Sequence, residues 1–357
     1  MLEERKQVKT ASSMIGADRG RLVAEVSMKV FGQAPKRVAF PGGRSRNTFL
    51  IDLGDESWIL SQRETSEAAA LEAVALQYLA RTGHTPKFKA ICGRWTVQEY
   101  VPGTRLPIAL DASLSMAERV EMVGEALEAL LRIQHIGRCG PLFDKAPVIG
   151  ADLDWFVQSA RGARMLSKQL GVKPPNVNEH AIGEALCGPR NDFIKFDARP
   201  GNALRDGHRT VWFDWEDCGR GNALEDLVFV LCDEWMMLDE RAETQLIDTY
   251  LSAFAPKLST GAATRQFVLY GTVHMCERVR RCIHMNVRQQ GWCDRNTSLA
   301  GDGTGNTPAE IARLCDRLSR WADRTPQTRG YVDWIKDISS FFELQTGKQT
   351  HAASLAA

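Results

Sequence analysis

The chain has 357 residues, of which 44% are hydrophobic and 25% charged, so it has a globular composition and enough length for two lobes. Its 45 basic and 44 acidic residues leave a formal charge of +1, which gives no electrostatic reason to expect nucleic acid or an anionic membrane as a partner. Nine scattered cysteines without a Cys-x-x-Cys pair argue against a disulfide framework and a zinc module. We therefore expect a cytoplasmic protein with reduced thiols, and the charged N-terminus "MLEERKQVKT" predicts no export signal.

The first third of the chain predicts a small, mostly antiparallel sheet with one main helix. A short helix at about 17–31 precedes the strand-like runs "KRVAF", "TFLIDL" and "SWILSQR". The run "SEAAALEAVALQYLARTG" has helical spacing and ends at Gly83, a typical C-terminal stop. Two more strand-like runs, "KFKAICG" and "RWTVQEY", lead to Pro102 and Gly103, which break the pattern near residue 100.

The rest of the chain is mostly helical in its periodicity. Amphipathic stretches lie at about 115–137, 151–170, 241–254, 262–289 and 308–324. The exception is "TVWFDW", which follows the turn "RDGH" and predicts a β-hairpin among helices. The segment "NTSLAGDGTGNTP" predicts a mobile surface loop.

Three polar residues around this hairpin suggest phosphoryl transfer. Asp197 and Asn202 lie five residues apart in the loop before the hairpin, and Asp214 ends its second strand. Phosphoryl transfer needs a carboxylate that orients the attacking hydroxyl and oxygen ligands that hold Mg²⁺ on the nucleotide. The tight turn at Pro200 and Gly201 would bring all three together. The alternative is that Asp197 and Asn202 only cap turns, as such residues commonly do.

The segment "FDARPGNALRDGHRTVWFDWEDCGRGNALEDL" resembles the catalytic segment of the aminoglycoside phosphotransferase and choline kinase family of kinase-like small-molecule phosphotransferases. Three more blocks resemble the same family in the same order. They are "FPGGRSRNTFLIDLGDESWIL", like its nucleotide-covering loop and hairpin; "LEAVALQYLA", like the helix with its structural Glu; and "VQEYVPGTRL", like its hinge. The resemblance covers residues 40 to about 230. It implies an α+β, bilobal, protein-kinase-like fold, with residues 1–100 as the nucleotide-covering lobe and 101–357 as the helical lobe with the substrate pocket.

The resemblance also implies roles for individual residues. Asp197 would be the catalytic base, and Asn202 and Asp214 the Mg²⁺ ligands. The residues implied at the ATP (or GTP) site are Glu72, which pairs with a phosphate-binding cation; Gly42 and Gly43, whose backbone N–H groups approach phosphate; and Glu99 and Tyr100 at the hinge. Gly42 and Gly43 taken alone indicate no more than a turn.

Two departures from the family bear on this assignment. The strand cation of the family aligns with Ser61, which cannot replace it, whereas Arg63 lies two residues later on the same face of an extended strand. Arg63 either reaches inward or is a solvated strand-end residue. Lys195 and Phe196 replace the usual His-Gly before the catalytic Asp, so the loop must be supported differently. Arg199 would place a cation near the transferred phosphoryl group.

Other acidic residues and clusters carry weaker expectations. Glu216 and Asp217 either support the metal site or are solvated, and Asp226 is expected to fix a loop or a helix end. A substrate pocket and core or solvated positions are equally compatible with four residues, Asp233, Glu234, Trp235 and Trp292. A solvated face is expected for the basic run Arg278, Arg280 and Arg281, and the alternative is that this run faces an acidic substrate or partner. The spacing of four further residues, His274, Cys276, Cys282 and His284, does not suit a metal site.

The sequence thus predicts an ATP- or GTP-dependent, Mg²⁺-dependent kinase that acts on a hydroxyl group of a small molecule. A second hypothesis is a pseudokinase that binds a nucleotide or another ligand without catalysis, suggested by Ser61 and by the Lys195-Phe196 pair. Retention of the three polar residues Asp197, Asn202 and Asp214 favours the enzyme. The acceptor molecule and the oligomeric state are not determined by the sequence.

Overall fold

The structure is a computed structural model that describes residues 18–43, 46–110, 113–207, 209–301 and 303–341. The N-terminal decapeptide, Ala17 at the start of the first predicted helix, residues 44 and 45 of the glycine-containing loop, and His208 of the hairpin turn lie outside these ranges.

A five-stranded antiparallel sheet forms the N-terminal part of the fold. Its spatial order is β1-β2-β3-β5-β4, so successive strands are joined by short connections except where a helix intervenes between β3 and β4. Helix α1 covers residues 18–31 and precedes the sheet. The elements are β1 (Arg37–Ala39), β2 (Thr48–Asp52), β3 (Ser57–Gln62), α2 (Ser66–Leu79), β4 (Phe88–Cys92) and β5 (Trp95–Glu99).

The two helices of this part belong to different hydrophobic clusters. Val23 and Val26 of α1 pack with Phe49 of β2 and Leu60 of β3 in a small cluster. The buried apolar face of α2, which includes Leu76, instead joins the large core of the helical part. Helix α2 is therefore the main apolar connection between the sheet and the rest of the protein.

Local signals explain where α2 begins and ends. The hydroxyl of Thr65 caps the helix by accepting the backbone N–H of Ala68 at 3.1 Å. A 3₁₀ turn over Ala80–Thr82 follows the helix, and Gly83 stops it with a left-handed φ of 75°. Both ends agree with the helix predicted from the sequence.

The chain leaves the first sheet after Glu99 and pairs next in a different sheet. Strand β6 (Thr104–Arg105) lies antiparallel to β8 (Ala203–Asp206), which forms the predicted hairpin with β9 (Arg209–Trp212). A Cβ atom on Gly103 would lie 2.7 Å from the carbonyl oxygen of Arg205, so only glycine fits this crossing. A change of sheet thus occurs where the pattern break predicted it, although a domain boundary at residue 100 stays a prediction.

Helices dominate the C-terminal part, and their apolar faces enclose one large core. The elements not yet named are α3 (Leu106–Ala109), α4 (Met116–Gly137), α5 (Pro141–Lys145), α6 (Leu153–Ala160), α7 (Gly162–Leu170), α8 (Glu179–Leu186), β7 (Asp192–Ile194), β10 (Gly219–Gly221), α9 (Leu224–Leu231), α10 (Glu240–Phe254), α11 (Thr260–Gln289), α12 (Arg295–Ala300), α13 (Pro308–Ala322) and α14 (residues 330–341). This α+β architecture, with an antiparallel sheet first and a larger helical part after it, confirms the predicted fold class. No helix in the described ranges is long and apolar enough to cross a membrane.

Two expectations about the helical part are wrong. The single helix predicted at 151–170 is two helices that meet at Arg161, because the chain turns there and Gly162, a poor helix former, follows. The segment predicted as a mobile surface loop instead contains helix α12 and the buried residues Asn306 and Thr307. Its composition resembles a surface loop, but tertiary contacts bury part of it, and its mobility stays a prediction.

Candidate active site

We call the loop that carries Asp197 the catalytic loop after its predicted role, and it begins where β7 ends. Phe196 has a left-handed φ of 64°, which turns the chain out of the strand immediately before Asp197. A 3₁₀ turn over Pro200–Asn202 then leads into the hairpin. The backbone N–H of Phe213 donates to the carbonyl oxygen of Asn202 at 3.0 Å, so the hairpin returns Asp214 to the loop.

Both carboxylate oxygens of Asp197 accept hydrogen bonds within this loop. Nδ2 of Asn202 donates to Oδ2 at 2.7 Å, and Nε of Arg199 donates to Oδ1 at 3.1 Å. Burial would raise the pKa of the Asp197 carboxyl, but Arg199, Lys195 and the other nearby donors outweigh it and lower this pKa below its ordinary value. Asp197 is therefore ionised at neutral pH and able to orient a hydroxyl donor.

Asp226 supports the loop from below. Its carboxylate accepts the backbone N–H groups of Lys195 and Phe196, both at 2.9 Å, and Nε2 of Gln134 at 2.8 Å. Burial raises the pKa of Asp226 to about 7 despite these three donors. The sequence indicated that Asp226 fixes a loop or a helix end, and these contacts agree with that expectation.

Arg63 lies inside the protein and contacts both acidic groups of the predicted nucleotide site. Its guanidinium is 7% exposed and donates to Glu72 through Nε at 2.7 Å and through Nη2. Nη1 donates to Oδ1 of Asp214 at 2.8 Å and lies 3.0 Å from Oε1 of Glu216. These carboxylates outweigh burial and keep the pKa of Arg63 above its ordinary value. Arg63 is thus not a solvated strand-end residue.

Glu72 is fixed by two further donors that the sequence did not reveal. The hydroxyl of Thr96 donates to its Oε2 at 2.6 Å, and the backbone N–H of Trp215 donates to Oε1 at 3.3 Å. Ser61 is buried on β3 with its hydroxyl 3.4 Å from that of Thr48. No pattern in the sequence marks Thr96, because its role depends on the pairing of β5 with β3.

The donor set at Asn202 and Asp214 suits a hard divalent cation. Nδ2 of Asn202 is turned toward Asp197, so its Oδ1 remains as a ligand. Oδ1 of Asp214 accepts from Arg63, which leaves Oδ2. Mg²⁺ prefers such oxygen ligands. No group of three or more His, Cys, Asp or Glu side chains in the described ranges could hold a metal, so a cation at this pair would complete its coordination with phosphate oxygens and water.

Glu216 and Asp217 follow Asp214; Glu216 is partly buried, whereas Asp217 is exposed. Burial raises the pKa of Glu216 to about 7, and desolvation together with the carboxylates of Asp197 and Asp214 raises the pKa of Asp217. Glu216 contacts Arg63, so it is not simply solvated. A role of either residue in metal binding stays a prediction.

The remaining predicted site residues are not joined to this cluster by a described contact. Gly43 has a φ of 86°, and a Cβ atom there would lie 3.8 Å from Cα of Gly301 in the helical part. The Gly42-Gly43 turn therefore faces the segment after α12. Glu99 accepts the backbone N–H of Lys87 at 3.0 Å, and Tyr100 is 39% exposed. Their contact with a nucleotide stays a prediction.

A second charged cluster lies beside the catalytic loop, and it corrects one expectation. Arg278, expected to face solvent, is 2% exposed on α11 and donates to Glu234 through Nε at 2.6 Å and Nη2 at 2.5 Å. Asp233 is fully buried beside this pair, and its Oδ2 has no hydrogen-bond partner within the part of the chain that the structure describes. Burial and the Glu234 carboxylate raise the pKa of Asp233.

This cluster also holds the segment that the sequence predicted as a loop. The backbone N–H of Gly305 donates to Oε1 of Glu234 at 3.0 Å, and Nε1 of Trp235 donates to the carbonyl oxygen of Gly303 at 3.3 Å. Glu234 and Trp235, two of the residues considered for a substrate pocket, therefore contact the segment that follows α12. This segment begins beside the Gly42-Gly43 turn. Cys276 and Cys282 are core residues of α11.

The sequence profile of the phosphotransferase enzyme family matches residues 36–267, well over half of the chain. None of the curated proteins matches the sequence.

The fold is similar to those of several solved structures. A choline/ethanolamine kinase family protein from Mesorhizobium loti has a TM-score of 0.54 at 17% identity, covering 90% of this chain and 99% of that one. Amicoumacin kinase hAmiN, solved with AMP-PNP, Ca²⁺ and Ami, has a TM-score of 0.53 at 15% identity, with coverage of 88% and 97%. A putative aminoglycoside phosphotransferase from Ralstonia eutropha has a TM-score of 0.52 at 16% identity, with coverage of 89% and 98%. At these identities the similarity concerns the fold.

Proposed function

The chain belongs to the phosphotransferase enzyme family, whose members are kinases with a hydroxyl acceptor, and from this premise we propose that it moves the γ-phosphoryl group of ATP or GTP to a small molecule with the help of Mg²⁺. The observation that carries the proposal is a set of contacts in two groups, Asn202 on Asp197 and Arg63 on Asp214 and Glu72. The ammonium of Lys195 joins the two groups, because it donates to the carbonyl oxygens of both Asp197 and Asp214. A base, two oxygen ligands and a phosphate-binding cation are then held by one network.

Asp197 orients the acceptor hydroxyl and takes its proton as the new P–O bond forms. The bond between the transferred phosphorus and the bridging oxygen breaks, and that oxygen leaves with the nucleoside diphosphate. The lowered pKa of Asp197 makes it a weak base, which suits a loose transition state in which positioning and charge stabilisation dominate. Arg199, which is held by Asp197, contributes positive charge beside the transferred group.

The nucleotide is held by the residues of the sheet and of the hairpin end. Arg63 contacts the α- and β-phosphates while Glu72 fixes its guanidinium. When bound at Asn202 and Asp214, Mg²⁺ neutralises phosphate charge. The Gly42-Gly43 turn covers the phosphates, and Glu99 and Tyr100 contact the base at the hinge. Residues 1–100 form the nucleotide-covering lobe in this proposal, and 101–357 carry the catalytic loop and the acceptor pocket.

Thermal unfolding with ATP or GTP, each with and without Mg²⁺, tests the proposal. We expect a Mg²⁺-dependent stabilisation of about 2.7 kcal/mol at a ligand concentration of 100 times Kd. Asp214→Asn should lose it, whereas Asp197→Asn and the exposed control Asp144→Asn should keep it. If neither nucleotide stabilises the wild type, the proposal is wrong.

Turnover separates the kinase from a nucleotide-binding module. With an acceptor found by screening hydroxylated small molecules, Asp197→Asn should lower kcat by about 10²–10⁴-fold, because it removes the general base. Unchanged turnover in this variant would refute the role of Asp197. Nucleotide binding without transfer to any acceptor would favour the pseudokinase alternative.

A further inference from the structure

Lys195 occupies an unusual position for a lysine, since its side chain is fully buried beneath the catalytic loop. Its Nζ donates to the carbonyl oxygen of Asp197 at 3.1 Å and to the carbonyl oxygen of Asp214 at 2.8 Å. Nζ also lies 5.3 Å from the centre of the Trp215 ring, within range of a cation–π contact. One ammonium group thus links the loop that carries the proposed base to the turn that carries the proposed metal ligand.

Both segments that Lys195 links have a backbone conformation that needs outside support. Phe196, directly before Asp197, has a φ of 64°, and Asp214 has a φ of 63°. Residues other than glycine seldom adopt this left-handed conformation, and it persists only where surrounding contacts hold it. Asp226 holds the loop through the backbone N–H groups of Lys195 and Phe196. The ammonium of Lys195 holds it from the carbonyl side and also reaches the second segment.

The charge of Lys195 is matched to its surroundings. Burial lowers its pKa below the ordinary value, and the carboxylates of Asp197, Asp214 and Asp226 reduce this effect without cancelling it. In return, the ammonium stabilises the ionised form of Asp197. A buried cation among three carboxylates reduces the repulsion that would otherwise push the base and the metal ligand apart.

We propose that Lys195 is a positioning residue that couples the catalytic loop to the metal-binding turn, by fixing the carbonyl groups of Asp197 and Asp214 relative to each other and compensating their negative charge. The inference rests on the proposed function and adds a residue to it. Lys195 and Phe196 stand where the family resemblance has His-Gly, so this link belongs to the chain's own sequence. Lys195 acts through its neighbours and does not contact the substrate in this scheme.

The test uses the full chain with ATP and Mg²⁺ as probes, so it needs no acceptor. Lys195→Met keeps the length of the side chain but removes its charge and its donors, whereas Lys195→Gln keeps an uncharged donor. The quantity measured is the Mg²⁺ concentration that gives half of the ATP-induced rise in melting temperature. Because residues that orient metal ligands typically change metal affinity by about 10–100-fold, we expect Lys195→Met to raise this concentration at least about tenfold, and Lys195→Gln to raise it less.

A control variant at Arg317 separates the proposed coupling of loop and turn from a general loss of core stability. Arg317 is also a buried cation that donates to two backbone carbonyl oxygens, those of Asp233 at 3.1 Å and Met236 at 2.9 Å. It pairs in addition with the buried Glu243, and it has no described contact with the loop or the turn. Arg317→Met should therefore lower the melting temperature and leave the Mg²⁺ concentration unchanged. If Lys195→Met unfolds, the comparison is made with Lys195→Gln alone.

The outcomes distinguish this inference from the proposed function. If the wild type shows no Mg²⁺-dependent stabilisation by ATP, the measurement is repeated with GTP. If neither nucleotide stabilises the wild type, the proposed function fails and the role of Lys195 fails with it. The loss of an orienting contact would raise the Mg²⁺ concentration at half response by about 10–100-fold. If the wild type responds and the Lys195 variants reach half response within about twofold of its Mg²⁺ concentration, only the coupling role is overturned. Lys195 is then a packing residue of the loop.

Discussion

Arg63 donates from Nε to Glu72 at 2.7 Å, although it lies just beyond the end of β3 and not at the strand position where the family resemblance places a cation. That position is Ser61, which is buried and whose hydroxyl faces Thr48. The two residues lie on the same side of an extended strand, and the long guanidinium side chain covers the extra distance. The departure at Ser61 therefore does not leave Glu72 without a cation.

Removal of Arg63 should destabilise the protein strongly. Arg63→Met leaves Glu72, which is fully buried, without its charge partner, and breaking a buried ion pair on one side costs about 3–5 kcal/mol. We expect this loss in the free energy of unfolding measured by urea titration, together with loss of the ATP-induced stabilisation. Lys336→Met, on the exposed surface, is the control. A loss below about 1 kcal/mol, the value of an exposed pair, would contradict the structure.

A transplanted cation tests whether the two strand positions are equivalent. Ser61 pairs across the sheet with Thr96, and Thr96 donates to Glu72. A lysine at position 61 would therefore start from a backbone position next to a residue that already contacts the Glu72 carboxylate. We expect the double variant Ser61→Lys/Arg63→Ser to recover part of the nucleotide-induced rise in melting temperature that Arg63→Ser loses. A double variant no better than Arg63→Ser would show that the reach of Arg63 is specific to its position.

Asp226 should be needed as the acceptor for two backbone N–H groups of the catalytic loop. In Asp226→Asn an amide NH₂ would face one of these donors. A buried donor without a partner costs about 1–3 kcal/mol, so we expect a loss of this size in the free energy of unfolding. Asp248→Asn on the exposed side of α10 is the matched control. Equal stability of the two variants would refute the supporting role.

Gly305 should tolerate no side chain, because the segment after α12 is packed against the charged cluster. A Cβ atom at Gly305 would lie 2.5 Å from Cγ of Glu234, and overpacking of this kind typically costs about 1–3 kcal/mol. Gly305→Ala should therefore be destabilised and be cleaved faster by trypsin after Arg295. Gly188→Ala, where a Cβ atom meets nothing within 4 Å, should change neither property. Equal cleavage rates would mean that the segment is the mobile loop suggested by its composition.

Asp233 should make stability depend on pH. Its folded pKa is raised by burial and by Glu234, whereas an unfolded Asp has a pKa of about 3.9. Between these values the folded state keeps a proton that the unfolded state has lost, so the free energy of unfolding falls as the pH rises. Asp233→Asn cannot titrate. We expect the stability of this variant relative to the wild type to increase from pH 4 upward, by about 1.4 kcal/mol for each unit of pKa shift.

Urea titrations between pH 4 and pH 8 measure this difference, with Asp144→Asn at an exposed position as the control. The comparison between variant and wild type reports the Asp233 carboxyl together with its effect on the adjacent Glu234, because the more distant buried carboxyl groups titrate in the same way in both proteins. A difference that is constant over the whole range would show that Asp233 is ionised in the folded protein at every pH tested.

The sequence by itself determined most of the elements, because these depend on contacts between near neighbours. The apolar spacing of α4, α10, α11 and α13 and the Thr65 and Gly83 signals around α2 are local, and they predicted helices close to the observed bounds. The turn before "TVWFDW" predicted the hairpin for the same reason. The resemblance supplied the candidate residues Asp197, Asn202 and Asp214, whose catalytic and metal-binding roles stay predictions.

The tertiary structure alone decided which charged groups are buried and what they bind. The local sequence leaves open whether Arg63 reaches inward or is solvated, and it favours a solvated Arg278. Glu72, Asp214 and Glu234 make both arginines interior residues. The order of the segment after α12 likewise depends on Glu234, about 70 positions earlier in the chain. In the sequence, Lys195 is marked only by its departure from the family pattern, because its two carbonyl partners are defined by the fold. Spacing along the chain carries no information about such distant partners, whereas the cost of burying a charge makes them obligatory in the fold.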